Sequence, residues 1–220
     1  MAVPRTVVID DLDGTLYFQT PVRIRMALRL ASHYGPRPGR WRELAVLRDF
    51  RREREADDAA TDLDLTATLA RRHRLPESAA AATLDRWLLR EPLAAVAAHR
   101  DTPLAEVIAQ AARAGIKIAV LSDYPTEAKM KALGIAADAQ FCSTEPPIEA
   151  RKPSPQGIET VLAHFGATPD QALMVGDRDS KDGAAARAAG VESLILPKGR
   201  RGRRAAIVHL RRLLALPTDT

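Results

Sequence analysis

The sequence predicts an α/β protein, a Rossmann-like parallel sheet core carrying an inserted all-helical unit, and three observations support this. The apolar, β-branched run Val7-Val8-Ile9 breaks abruptly into Asp10-Asp11-Leu12-Asp13-Gly14, as a strand buried on both faces does where it meets a ligand-facing loop. From Pro103 onward, short apolar runs alternate with amphipathic segments of about ten residues, the rhythm of parallel βαβ units with right-handed crossovers. Between residues 20 and 100 no strand pattern occurs, and roughly 80 residues of helical periodicity exceed what a crossover requires.

Taken in order, the first strand is followed by an exit loop over 15–19 and a helix whose first turn suits Pro21. Val22, Met26, Leu28 and Leu30 give that helix an apolar side, and Gly35 ends it. Gly35-Pro36-Arg37-Pro38-Gly39 is a breaker. A second helix is expected over 40–57, with Trp41, Leu44, Leu47 and Phe50 at helical spacing. A third covers 61–74, and a fourth starts at Pro76 and carries Leu84, Trp87 and Leu88. Beyond Pro103 the pattern gives helix 104–114, strand 116–121, helix 125–133, strand 139–142 and helix 155–165. Strand 172–175, helix 180–189 and strand 191–196 follow. A terminal helix over 205–216 turns Ile207, Val208, Leu210 and Leu213 inward. The core is therefore assigned to 1–16 and 100–220, and a helical cap to 17–99. An insert springing from the end of the first strand suits a lid that closes over substrate and excludes water.

At 220 residues the chain is long enough for one α/β core and an insert. No run of 18 uncharged apolar residues predicts a membrane-spanning helix. The strand follows Met1-Ala2-Val3-Pro4 directly, leaving no room for a signal peptide. The single cysteine, Cys142, excludes an intramolecular disulfide and reads as a small buried apolar residue. A cytoplasmic protein with no membrane partner is expected. The net charge of +5 is concentrated in Lys198-Gly199-Arg200-Arg201-Gly202-Arg203-Arg204. No aromatic residue interleaves that cluster and no nucleic-acid motif accompanies it, so it reads as a solvated basic tail.

The residues able to carry chemistry lie at the expected strand ends. Asp11 and Asp13, two positions apart on a turn opened by Gly14, can share a hard cation through oxygen ligands, and one can attack phosphorus as a carboxylate nucleophile. Ser122-Asp123 ends the strand over 116–121. A hydroxyl there, with the N–H groups of the next helix, can hold an anionic oxygen, or the pair can serve as an N-cap. Lys152, in Arg151-Lys152-Pro153-Ser154-Pro155, precedes a helix and brings an ammonium suited to a phosphoryl group or its nucleophile, whereas Arg151 reads as a surface residue. Gly176-Asp177 ends the strand over 172–175, with Asp182 five residues on. Asp177 is the first choice for ligating Mg²⁺, and Asp182 would support it from behind. Asp179 reads as a helix cap.

In this order the motifs Asp11-Leu12-Asp13-Gly14-Thr15, Ser122, Lys152-Pro153 and Gly176-Asp177 with Asp182 resemble those of the haloacid dehalogenase-like hydrolase superfamily. The helical insert between the first and second motifs resembles the C1-type cap of its phosphatases. The short span between the second and third leaves no room for the other cap type. The resemblance implies a Mg²⁺-dependent phosphatase acting on a small phosphomonoester. Asp11 would be the nucleophile that becomes an aspartyl-phosphate, and Asp13 the acid and then the base. Ser122, Asp123 and Lys152 would surround the phosphate. Asp11, Asp177 and the main-chain carbonyl of Asp13 would hold the metal, with Asp182 behind them. A phosphomutase on the same scaffold, or a non-catalytic phosphate-binding or basic-tail module, are the alternatives. Dehalogenases of the superfamily lack the acid two residues after the nucleophile, so Asp13 argues against that chemistry. Two positions depart from the pattern: Asp10 replaces an apolar residue and Asp123 replaces asparagine. Arg23 and Arg25, near the mouth in sequence, read as exposed helix residues.

Overall fold

The computed structural model describes residues 3–56 and 61–217. Five parallel strands form one sheet: β1 (Val7–Asp10), β2 (Lys117–Ser122), β3 (Ala139–Cys142), β4 (Ala172–Gly176) and β5 (Glu192–Ile195), in the order β3-β2-β1-β4-β5. β1 lies at the centre, with Asp10 opposite Val120 of β2 and Val175 of β4. The order reverses between β1 and β4, so the carboxyl ends of these two strands flank the switch point at which α/β sheets bind ligands.

The chain divides into two compact units, Met1–Gln19 with Val96–Thr220, and Thr20–Ala95. The second is helical, built from α1 (Gln19–Tyr34), α2 (Trp41–Ala56), α3 (Asp62–Arg72), α4 (Glu77–Leu84) and the start of α5 (Leu93–Ala98). α4 runs on through a widened π-type turn over Asp85–Arg90. Its interior holds Met26, Val46, Leu47, Phe50, Leu65, Leu69 and Leu84. At its centre the Trp87 indole donates to the Tyr34 hydroxyl at 2.9 Å, and that hydroxyl donates to Glu43 at 3.1 Å. Two buried polar tips thereby satisfy one another, as interior Tyr and Trp must.

The remaining helices are α6 (Thr102–Arg113), α7 (Glu127–Leu133), α8 (Gln156–Phe165), α9 (Ala184–Ala188) and α10 (Arg200–Leu213). Val7 and Ile9 pack with Ala119, Leu121 and Met174 against Ile158 and Val161 of α8 and Ala185 and Ala186 of α9. By the two-residue alternation of a strand, Val8 and Asp10 turn to the opposite side. There α6 packs on β2, and α10 packs on α6.

Several expectations are corrected. Leu28 is exposed rather than part of an inward stripe, because α1 turns Val22 and Met26 inward. Trp41 is 57% exposed: it opens α2, and its indole N–H donates to the Tyr34 carbonyl at 3.0 Å. Asp57, the expected end of that helix, lies outside the described residues. The terminal helix begins at Arg200, inside the basic cluster, and its inward side runs Arg203-Ile207-Leu210, leaving Val208 exposed. Arg203 is thus a buried residue of a helix and not part of a solvated tail. Arg151, expected at the surface, is buried beside Lys152.

Asp10 is fully buried, and neither carboxylate oxygen has a hydrogen-bond partner. Burial, and then the neighbouring Asp11, push its carboxyl well above the ordinary range. Both states hold the proton at low pH. As pH rises the unfolded chain releases it first, so stability falls until the folded carboxyl also ionises. Asp10→Val is therefore expected to raise stability near neutral pH by about 1–3 kcal/mol, with the gain shrinking toward pH 4. Asp10→Asn removes the pH dependence but leaves a polar group buried. Chemical denaturation at several pH values measures both.

Candidate active site

Each strand of the central trio delivers one part of the site. Asp11 follows β1 directly, its N–H donating to the Val175 carbonyl at 2.8 Å, so β4 fixes the main chain of this residue. Its carboxylate accepts from Lys152 Nζ at 2.5 Å and from the Thr15 hydroxyl at 3.0 Å. Lys152 is 1% exposed and also donates to Asp182 at 2.6 Å and to the Leu121 carbonyl at 3.3 Å. Burial works against the ammonium, but Asp11, Asp182 and Asp123 together raise its proton affinity above that of an ordinary lysine. The same burial pushes the Asp11 carboxyl up to about 7; Lys152 opposes this, and Asp182 and Asp13 add to it.

Asp182 lies under the end of β4. One oxygen takes the Lys152 ammonium, and the other accepts the N–H groups of Asp177 and Arg178 at 3.2 and 3.1 Å. This packing requires Gly176, where a Cβ would sit 2.4 Å from the Asp182 Cβ. Gly14 plays the same part on the other side. Its φ of +100° is the left-handed region, and a Cβ there would fall 2.4 Å from Asp177 Oδ2.

Oxygens of Asp11, Asp177 and Asp182 lie within 4.8 Å of one another, the spacing of a cation site. Asp177 Oδ1 is buried and accepts no hydrogen bond, and the nearest cation, Arg178, stands 3.8 Å away. Burial and then Asp182 raise the Asp177 carboxyl above its usual range. A buried carboxylate oxygen left over among three acids is the donor set a hard divalent cation takes.

The Asp13 side chain stands outside this trio. Lys129 Nζ grips both its oxygens, at 2.6 and 2.8 Å, and the Tyr17 hydroxyl donates to one of them. Burial raises the Asp13 carboxyl, but Lys129 and Tyr17 outweigh it, and the net direction is downward. Lys129 is a site residue that sequence reasoning missed. It is buried on α7 and its ammonium lies over the Tyr124 ring. Its one signal was spacing, since Lys129 stands four residues before Leu133 and so shares the inward stripe.

Ser122 is buried, and its oxygen accepts the Tyr124 N–H at 3.1 Å. Asp123 does not oppose an incoming anion unpartnered, because it accepts from the Ser143 hydroxyl at 2.6 Å and from the Lys152 N–H at 3.2 Å, and so holds the lysine's main chain. Asp179 pairs with Arg187 at 2.7 Å. Arg203 reaches the site loop from α10, donating to the Gly14 and Thr15 carbonyls at 2.6 Å each.

Among known proteins, the family model described as a haloacid dehalogenase-like hydrolase matches residues 6–190. The phosphoglycolate phosphatase of Rhodospirillum rubrum is 31% identical over 210 residues, covering 87% of this chain and 79% of that protein. The phosphoserine phosphatase of Thermus thermophilus is 32% identical over 97 residues, 43% of this chain and 39% of its own. The structure of a 2-haloacid dehalogenase from Pseudomonas syringae pv. Tomato superposes with a TM-score of 0.62 at 17% identity, over 87% of this chain and 86% of that one. At that identity the likeness speaks for the fold.

The trio of acids makes a prediction that needs no substrate. In chelator, Asp177→Asn removes a buried charge and is expected to melt about 2–4 °C higher, or roughly 1 kcal/mol. Added Mg²⁺ should raise the wild-type melting temperature and leave that of Asp177→Asn nearly unchanged. Thermal scans with and without the ion decide; equal Mg²⁺ responses would remove Asp177 from the cation site.

Proposed function

The chain belongs to the haloacid dehalogenase-like hydrolase family, and from that premise we propose that it is a Mg²⁺-dependent phosphatase of small phosphomonoesters, working through an aspartyl-phosphate. The observation that carries this is the Asp11 carboxylate, buried between Lys152 and Thr15 and sharing a cation-sized cluster with Asp177 and Asp182. Asp11, Asp177 and the Asp13 carbonyl would hold Mg²⁺, with Asp182 behind them. The ion would offset the repulsion between a carboxylate and a phosphate dianion.

Asp11 attacks phosphorus and the ester P–O bond breaks, its electron pair leaving on the alkoxide oxygen. Lys152 neutralises charge on the nucleophile, and Ser122, whose oxygen already accepts the Tyr124 N–H, keeps its hydroxyl hydrogen for a phosphoryl oxygen. Asp13 supplies the proton the leaving oxygen needs, then takes one from the water that cleaves the Asp11–phosphorus bond. The grip of Lys129 favours the carboxylate form of Asp13, which suits the second step. In the first step, an arriving phosphoryl dianion draws on the Lys129 ammonium and loosens that grip, and Asp13 takes from solvent the proton that it passes to the leaving oxygen. Asp13 also separates this reading from dehalogenation.

The helical unit is inserted just after β1, a point of insertion that suits a lid, and we read its side chains as the source of substrate choice. Similarity to a phosphoglycolate phosphatase and to a phosphoserine phosphatase supports phosphoglycolate and phosphoserine as the first substrates to try. No described helix is long and apolar enough to cross a membrane, and with its one cysteine buried we place the enzyme in the cytoplasm.

Release of inorganic phosphate from an aryl phosphate and from a panel including phosphoglycolate and phosphoserine tests the proposal. Activity is expected with Mg²⁺ and not with chelator, and Asp11→Asn should lower it by about a thousandfold or more. Equal wild-type and Asp11→Asn rates would overturn it.

A further inference from the structure

We propose that Arg203 is a positioning residue of the active site: from the C-terminal helix it holds the main chain of the Gly14–Thr15 turn and thereby sets the places of Asp11 and Asp177. Arg203 is 2% exposed, and all three guanidinium nitrogens donate hydrogen bonds. One terminal nitrogen donates to the Gly14 carbonyl at 2.6 Å. The other donates to the Thr15 carbonyl at 2.6 Å and to Asp101 at 3.1 Å. Nε donates to the Pro197 carbonyl at 3.2 Å, which anchors the side chain to its own helix start.

Each grip leads to an acid of the site. Thr15, held by its carbonyl, places the hydroxyl that donates to Asp11 at 3.0 Å. Gly14, held by its carbonyl, presses a hydrogen-bearing Cα against Asp177, where any side chain would collide. A planar fork reaches two carbonyls and a carboxylate together; a lysine ammonium, a point charge on a flexible stem, does not. Arg203 also binds the chain segments that lead into and out of the helical unit. Its guanidinium lies 5.1 Å from the centroid of the Phe18 ring, with Arg200 at the same distance. Asp101, its carboxylate partner, donates its N–H to the Leu16 carbonyl at 2.9 Å, and Phe18 donates to the His99 carbonyl at 2.9 Å. One side chain therefore ties the turn beside the nucleophile to both crossings.

The kinetic consequence rests on the phosphatase reading. Arg203→Ala and Arg203→Lys are expected to lower kcat about 10–100-fold while KM changes little, and added guanidinium ion should restore part of the loss in Arg203→Ala but none in Asp11→Asn. Amide exchange in metal-free protein gives the second readout. The Leu16 and Asp101 amides should exchange faster in both variants, while β2 and β4 amides keep wild-type rates. Should Arg203→Ala not fold, Arg203→Lys and Asp101→Asn, which keeps the oxygen that caps α6, carry the same measurements. A folded variant with wild-type kcat, or with wild-type exchange at Leu16 and Asp101, overturns the proposal. If the wild type hydrolyses no phosphoester, the functional reading fails, and the exchange data still judge the clamp.

Discussion

One lysine ammonium held between two buried carboxylates is the constraint on which the site depends. Lys152 cannot be solvated where it lies, and neither can Asp11 or Asp182. Removing Lys152 would strand two buried carboxylates without their counter-charge, in a medium that does not tolerate it. The triad is also unbalanced. Ionised, Asp11, Asp177 and Asp182 carry three negative charges against one ammonium. Burial first, and the neighbouring carboxylates after it, raise the Asp11 and Asp177 carboxyls. Groups that bind protons too well for want of positive charge nearby bind a divalent cation for the same reason.

Holding three acids this close is a problem of backbone as much as of charge. At Gly14 and Gly176 the space a Cβ would fill belongs to a neighbouring aspartate. Asp182 is spared further repulsion by two main-chain N–H groups from the turn it sits beneath. The loop after β4 therefore neutralises its own acid, leaving Asp177 turned toward Asp11. The parallel sheet supplies the frame, because Asp11 hydrogen-bonds to β4 before the chain leaves β1.

The sheet, its strand runs and the residues that meet at its carboxyl end were legible because each carries a local mark: an apolar run that stops, a glycine, an acid. Residues that act from a distance left no such mark. Arg203 sits in a stretch whose composition resembles a solvated cluster, and only the packing of α10 turns one of its four arginines inward. Lys129 looks like any lysine of a short helix until the strand-end loops close around it. Arg151 was misread for the same reason, since burial of a cation depends on partners far away in sequence. Trp41 and Val208 failed differently: helical spacing marks a stripe, but the position of a helix end decides which residues of the stripe reach the interior.

Asp11 and Asp13 show how two identical side chains, two positions apart, are given different characters. Asp11 is buried, and Asp182 and Asp13 add their charge against the pull of Lys152, so its proton is held up to about 7. Asp13 has Lys129 on both oxygens and a tyrosine hydroxyl besides, so its proton is held weakly. The first waits for added positive charge to become a free carboxylate; the second is a carboxylate already, and becomes an acid only when something competes for its lysine. In the proposed reaction a divalent cation held by Asp11 and Asp177 would supply the first, and an arriving phosphate dianion would supply the second by drawing Lys129 from Asp13. Divergent environments of this kind are how neighbouring carboxyl groups come to divide nucleophilic and proton-transfer work.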